Sequence, residues 1–484
     1  MTMFDAVVVG GGITGLGIAR LAARNGLSVA LVERGDLGSG ASSASSHMLH
    51  GGLRYLEHGD FVLVSEALRE RAAVSRMAPS LARPTRFMIP FYRGDRRPPW
   101  MVRIGLFAYD AFAGRSTLAR HASVRRAEAL ALEPDLAEGG LKGAGLYTDA
   151  VMDDARLAVA VGLDAVSHGA QVHNYTEAIG LRPADADRFD LLARDRLSGA
   201  EIALRGRVII NATGPWADRT RAMLLGSLKP GSIEPAPVLR PSRGVHLVFP
   251  RLTRSHGVLL FARSDGRVFF VIPFGEHSLV GTTEVEVVSP LRDDDVSPSV
   301  EEIRYLRSEL ARAIPKAAEA PAMAVLSGVR PLLAATGPIA AATREHRLID
   351  DGPLLTVVGG KYTTFRVMAR DAVKALVDKL KRGGPDPRDS VEPLPRLPEP
   401  TESLEAFAES SAQSAFARRV EDVIRRRSRL WLTPDRGRVA APQVAAGLAR
   451  ALGWSPERAR AEQREFFASL EHEDRLLVSA REVA

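Results

Sequence analysis

Apolar positions along the first part of the chain fall into three blocks. Phe4 and, after Asp5, the continuous run Ala6–Val9 have the pattern of a strand buried on both faces. Small apolar residues at Ile18, Ala19, Ala22 and Ala23 then recur at helical spacing, predicting a helix over Thr14–Asn25 that Gly26 closes. A second β-branched run, Ser28–Val32, follows. Further on, the pattern predicts helices over Phe61–Met77 and from Asp149–Asp154 to about His168, ended by Gly169. Short strands are expected over Val172–Ala178, Phe189–Arg194 and Glu201–Leu204, with Ser198-Gly199 as a hairpin turn, and again at Val208–Ile210. The stretch Gly244–Glu286 alternates as strands Val245–Phe249, Val258–Phe261, Arg267–Pro273 and Leu279–Glu284, which predicts a mainly antiparallel sheet. An apolar run at Leu354–Val358 leads into a helix from about Thr363 to Leu380. Six prolines between Gly383 and Pro400 mark a linker, and Leu404–Ala484 has helical periodicity without strand-like segments.

Composition narrows the class. With 484 residues, 45% hydrophobic and 25% charged, the chain is an ordinary globular one, long enough for two or three domains. No uninterrupted apolar run reaches bilayer length, and the first strand opens next to Met1, so a cytoplasmic chain without a signal peptide is expected. The absence of cysteine excludes disulfides, thiolate catalysis, cysteine-ligated clusters and cysteinyl flavin attachment in this chain. A net charge of +7 favours anionic partners: a phosphorylated substrate, an anionic membrane surface or a nucleic acid.

Candidate chemistry begins at the first turn. Gly10, Gly12 and Gly15 have the G-x-G-x-x-G spacing that lets a strand turn tightly into a helix beside a pyrophosphate, and Glu33 ends the second strand where an acidic side chain accepts hydrogen bonds from a ribose diol. The small-residue loop Gly38–Ser46, with Ser42, Ser43, Ser45 and Ser46, is placed to lie over the phosphates. Trp100–Phe112, preceded by Arg93, Arg96 and Arg97, reads either as a core helix or as a segment lying in a membrane interface. The basic run Arg418, Arg419, Arg425, Arg426, Arg427 and Arg429 reads first as a solvated helix face or a domain contact, then as a lipid contact; nucleic acid comes last, because no base-stacking aromatics accompany it. No metal site is expected.

The run Ser42–Glu57 with its following helix resembles the signature of the FAD-dependent glycerol-3-phosphate dehydrogenases, and the resemblance extends through Asn211–Trp216, Gly244-Val245-His246, Arg330, Arg344 and Lys361. One departure is His47, where that family commonly has lysine. The resemblance implies an α/β fold: an FAD-binding Rossmann-like domain of the glutathione-reductase/D-amino-acid-oxidase type, an antiparallel β substrate-capping domain and a C-terminal α-helical domain. The corresponding boundaries are an FAD-binding domain over about 1–80, 145–240 and 325–382, a cap over about 81–144 and 241–324, a linker over 383–403 and a helical domain over 404–484.

It also implies non-covalent FAD held by Gly10, Gly12, Gly15, Glu33, the four serines, Ala178, Thr213, Gly214, Gly359, Gly360 and Thr363. The implied reaction is oxidation of sn-glycerol 3-phosphate to dihydroxyacetone phosphate. Arg54, Tyr55 and Arg344 are expected on the phosphate or glycerol hydroxyls, with Arg330 and Lys361 near the reacting carbon. His246 is the candidate proton acceptor and His50 its runner-up. Electrons are expected to pass to membrane quinone from a homodimer peripheral on the inner face of the cytoplasmic membrane, against anionic lipid. Three other readings stay open: a soluble oxidase making peroxide, a flavoprotein acting on hydroxy or amino acids, and a non-catalytic FAD-binding adaptor.

Overall fold

A computed structural model describes residues 2–53, 56, 59–114, 118–185, 187–231, 233–335, 345–382, 387–400 and 403–481. Its first sheet is built on Met3–Val9, where alternate residues serve opposite faces: Ala6 and Val8 pack toward one set of helices, Val7 and Val9 away from it. Strands Leu354–Gly359, Glu201–Asn211, Met3–Val9, Val29–Val32 and Gln171–His173 lie side by side in that order, all parallel. His346–Asp351 is antiparallel at one edge, and the ribbon Thr176–Asp185/Arg188–Asp195 pairs with the first half of Glu201–Asn211. Helices Ile13–Arg24, Asp154–Ser167 and Phe365–Lys379 contribute to the core on one face, and Ala217–Leu228 to the core on the other. This is the two-sided burial that a parallel sheet requires.

Among the described residues the second sheet has ten strands and is largely antiparallel. Ser242–Pro250 runs between His277–Gly281 and Ala324–Arg330, while Ala82–Tyr92 pairs antiparallel with Leu141–Met152 and parallel with Gly257–Phe261. Residues 145–152 and 325–330, expected in the first unit, therefore stand in the second sheet. The helix expected from Asp149 begins only at Asp154, because Asp149–Met152 is held in the ladder against Ala82–Thr85. The two strands expected around Glu201 and Val208 are one, since its first half pairs with the ribbon and its second with Met3–Val9.

Two other expectations change. Residues 387–400 have no helix or strand but form a pinned strap: Asp389 binds Arg20 at 2.8 Å and Arg366 at 2.7 Å, the Leu394 N–H donates to the Met77 carbonyl, and Leu394 and Leu397 are buried. Proline kept the segment irregular without keeping it loose. The helix Pro99–Ala113 is no core helix, since it buries Leu106 and Tyr109 and turns Trp100 (64% exposed), Ile104 (61%) and Phe107 (67%) outward.

Beyond the strap, helices Leu404–Ser414, Ala441–Leu452 and Pro456–Ser479 enclose a π-helical turn, Asp422–Arg427. Phe407, Val423, Leu448 and Phe466 continue there a core shared with Phe274 and Leu279 of the second sheet. Among the described residues no helix is long and apolar enough to cross a membrane.

Candidate functional site

The two sheets meet around a cavity of about 1210 Å³. At one end the chain leaves Met3–Val9 through Gly10, whose φ of +110° suits glycine and whose added Cβ would stand 2.6 Å from the Ala212 carbonyl oxygen. Gly15 does not reach the cavity; a side chain there would strike the Gly10 carbonyl, so its role is to bring helix onto turn. Gly12 stands at the helix N-terminus, where the Ile13 N–H donates to Ser42 Oγ at 2.9 Å, tying the serine loop to the glycine turn. Glu33 accepts from the Gly11 N–H at 2.6 Å and the Gly35 N–H at 2.8 Å. Each carboxylate oxygen keeps a second acceptor position, and burial pushes its pKa up.

The serine loop crosses from this end to the second sheet. Ser45 donates from both N–H and Oγ to the buried Asp154, and Ser46 Oγ lies 2.9 Å from His246 Nε2. Ser43 does not line the cavity, because its hydroxyl turns back toward the Gly40 carbonyl. His47 lies behind the loop, buried, with Nδ1 3.3 Å from Asp154 Oδ1 and its ring 4.6 Å from that of Phe274.

At the second sheet, antiparallel pairing sets Ser242 opposite Arg330, Gly244 opposite Gly328 and His246 opposite Leu326. His246 and Arg330 thus share one face, with two glycines between them. A Cβ on Gly244 would strike the Arg330 guanidinium, and one on Gly328 would come 2.8 Å from the Ala44 Cβ. The bare backbone therefore admits the arginine on one strand and the serine loop on the other. Arg330 Nη2 donates to Thr282 Oγ1 at 2.7 Å and to the Thr283 carbonyl at 3.3 Å. Burial first, then the charges of Arg330 and His47, hold the His246 imidazole well below its ordinary pKa, so it is neutral at neutral pH.

The third edge comes from the turn after Leu354–Gly359, where Gly359, Gly360, Lys361 and Thr363 line the cavity ahead of the helix Phe365–Lys379. Gly10, Gly12, Glu33, Ser42, Ser45, Ser46, His50, Ala178, Thr213, Gly214, His246 and Arg330 line it too. Arg54, Tyr55 and Arg344 lie outside the described residues. The cavity is long, with a glycine turn and helix N-terminus at one end and a neutral histidine beside an arginine at the other. Those features fit a dinucleotide bound along the first end with a small anionic substrate at the second.

Sequence reasoning missed Asp149, Tyr109 and Arg71. Asp149 lines the cavity, accepts from Tyr109 Oη at 2.7 Å and from Arg71 Nη1 at 2.7 Å, and stands 3.4 Å from the Gly51 nitrogen, whose N–H also donates to Tyr109 Oη. This network anchors the His50–Leu53 segment. Its only trace in the sequence is an acidic residue in an otherwise apolar alternation, read above as a helix start.

The family profile described as FAD dependent oxidoreductase matches residues 5–366. The chain is 38% identical over 378 residues to the glycerol-3-phosphate dehydrogenase of Mycobacterium leprae (strain TN), covering 77% of this chain and 63% of that protein. It is 38% identical over 391 residues to the aerobic glycerol-3-phosphate dehydrogenase of Escherichia coli (strain K12), covering 79% of this chain and 75% of that one. The chain thus spans less than two thirds of the mycobacterial relative's length. Among solved structures it is similar to the glycerol-3-phosphate dehydrogenase from Bacillus halodurans complexed with FAD, with a TM-score of 0.72 and 23% identity over 97% of this chain and 95% of that one.

Proposed function

Because this chain belongs to the FAD dependent oxidoreductases, and within them to the glycerol-3-phosphate dehydrogenase family, we propose that it oxidises sn-glycerol 3-phosphate to dihydroxyacetone phosphate. FAD is the cofactor of this family and, when bound, would supply the hydride-accepting chemistry that oxidation of the alcohol carbon needs. Residues around the first sheet that line the cavity would hold it: Gly10 and Gly12 with the helix N-terminus for the pyrophosphate, Glu33 for the adenosine ribose, and the Gly359–Thr363 turn for the isoalloxazine.

The observation that carries the substrate reading is a neutral His246 on the same strand face as Arg330, inside the cavity. As the C2–H electron pair leaves, the alcohol proton passes to His246, and the carbonyl forms without a full alkoxide charge. Arg330, already oriented by Thr282 and Thr283, supplies a fixed cation to the oxygen as charge builds there. Lys361 contributes a second cation beside the reacting carbon. Arg54, Tyr55 and Arg344 are assigned to the phosphate or the glycerol hydroxyls, since paired guanidinium bonds give a phosphate dianion both direction and strength.

Membrane quinone is the proposed electron acceptor. Supporting it is the helix Pro99–Ala113, whose Met101, Ile104 and Ala108 edge the cavity while Trp100, Ile104 and Phe107 face outward. Phe61 (50% exposed) and Val62 (79%) extend that apolar surface, and Phe61 stacks on Phe112 at 5.5 Å. Such a surface seats in the outer part of a bilayer, with Arg96, Arg97 and Arg103 near the headgroups.

Anaerobic titration of the yellow protein with sn-glycerol 3-phosphate tests the proposal. Stoichiometric bleaching of the visible flavin band, reversed by a quinone analogue, is expected. A band that stays oxidised removes this substrate, and equimolar peroxide in air with no response to quinone replaces quinone by oxygen.

A further inference from the structure

The centre of the basic run in the C-terminal helical unit, Arg426 and Arg427, is buried, while Arg419 and Arg429 at its ends keep part of their side chains in solvent. The π-helical turn of that unit, Asp422–Arg427, presents successive arginines to one point in the turn that follows strand Val29–Val32. There Asp36, with a side chain 0% exposed, receives Arg427 Nη1 and Arg426 Nε on Oδ2, each at 2.5 Å, and Arg427 Nη2 on Oδ1 at 2.7 Å. Both arginines are held from behind: Arg427 Nε by the Ala415 carbonyl at 2.7 Å, Arg426 Nη2 by Asp422 Oδ1 at 2.7 Å. Tyr175 Oη also donates to Asp422 at 2.7 Å, and Asn174 Nδ2 donates to the Phe416 carbonyl at 2.7 Å.

Asp36 belongs to the turn that displays Glu33. The Gly35 N–H donates to Glu33 Oε1, the Gly35 carbonyl accepts from the Tyr175 N–H, and the Gly38 N–H donates to the Gly11 carbonyl. With the Gly11 N–H on Glu33 Oε2, residues 33–38 form one stitched unit with the glycine turn. A carboxylate this deeply buried resists leaving its two arginines, and the turn must move with it. An exposed ion pair would give no such hold.

We infer that the C-terminal helical unit is a cofactor-retention clamp: Arg426 and Arg427 hold Asp36, and through it the Glu33–Gly38 turn, in the shape that receives the ribose of FAD. The two arginines are positioning residues, acting through Asp36. This rests on Glu33 receiving the ribose, and the test separates the two. Coupling of this kind is reciprocal, so bound FAD also tightens the docking of the C-terminal unit.

FAD release from the diluted holoprotein, followed by the rise in flavin fluorescence, is the measurement, with the melting temperature of each apoprotein recorded beside it. Arg427→Met is expected to speed release by about tenfold or more, and Arg427→Lys by less than about threefold, because a charge restored at Asp36 restores part of the hold. Glu33→Gln is expected to speed release with the clamp intact. If Glu33→Gln speeds release and Arg427→Met leaves it within about twofold of the parent, the clamp is overturned and the ribose assignment stands. If neither variant speeds release, the ribose assignment falls and the clamp with it. Should Arg427→Met fail to fold, hydrogen exchange of the unmodified chain decides. Loading with FAD is expected to slow exchange over residues 418–428 by about tenfold and over 456–470 by less than about twofold; uniform slowing, or none, overturns the clamp.

Discussion

His246 and Arg330 stand on neighbouring antiparallel strands and on the same face, separated by the cross-strand pair Gly244 and Gly328. In the chain they are far apart and belong to different motifs. Pairing register makes them one constellation, and the two glycines between them admit the Arg330 guanidinium and the serine loop.

Replacing Arg330 by alanine is expected to lower kcat/KM by about 100-fold or more, the range for losing a charge stabiliser used in the transition state. Steady-state assays with an artificial electron acceptor check it. Efficiency within a few-fold of the parent would remove Arg330 from the reacting centre.

Gly244→Ala is a gentler probe of the same geometry. The new methyl group strikes the Arg330 guanidinium and comes 2.5 Å from Thr282 Oγ1, so the arginine must leave its Thr282 bond. The expected result is a fall of about tenfold in kcat with a normal flavin spectrum and little change in melting temperature. A variant with parental kcat would show that the arginine's resting position is unimportant.

The pH dependence follows from His246. Its folded-state pKa lies well below 6.5 through burial, so the imidazole is already a proton acceptor at pH 6.5 and above. No inflection in kcat/KM from this group is expected from pH 6.5 upward; any acid limb that it causes falls below that value. In stability the sign is the same. Above pH 6.5 the group contributes nothing, and as pH falls below 6.5 the unfolded chain takes a proton the folded one refuses, so stability is lost. A limb centred at or above pH 6.5 that disappears in His246→Gln would contradict this.

Trp100→Asp and Phe107→Asp bear on the membrane proposal. Each puts a charge on the outward face of Pro99–Ala113, away from the cavity lining. Co-sedimentation with vesicles containing anionic lipid is expected to weaken by about tenfold for either, with oxidation by a water-soluble acceptor unchanged. Undiminished vesicle binding would move the membrane contact elsewhere.

Asp389→Ala tests the strap. It leaves Arg20, with a side chain 2% exposed, one carboxylate short and takes a partner from Arg366. A loss of about 2 kcal/mol in denaturant unfolding is expected. No loss would mean that the strap rests on Leu394 and Leu397 alone.

The parts of the chain that could be read in advance are those whose physics is local. Val7–Gly15 and Glu33 are such a part, because strand, turn, helix and acidic strand end follow from residue type and short spacing. The helix Phe61–Met77 was legible for the same reason, its bounds agreeing with those observed. Asp149 was misread because an acidic residue before a helix has the same local pattern whether or not a neighbouring strand claims it, and here Ala82–Thr85 does.

Which surface each pattern meets depends instead on how the elements dock. Trp100, Ile104 and Phe107 are apolar in any reading, yet their outward turn depends on Tyr109 and Leu106 having taken the inner side. Arg426 and Arg427 are charged in any reading, yet they are buried because Asp36, almost four hundred residues earlier, offers a carboxylate where the π-helical turn docks. Residue type and short spacing alone specify the glycine turn and the chemistry available. Partnership between distant residues, such as His246 with Arg330 and Asp36 with Arg427, came from strand register and domain docking, since burial and pairing energies depend on neighbours that a linear pattern does not name.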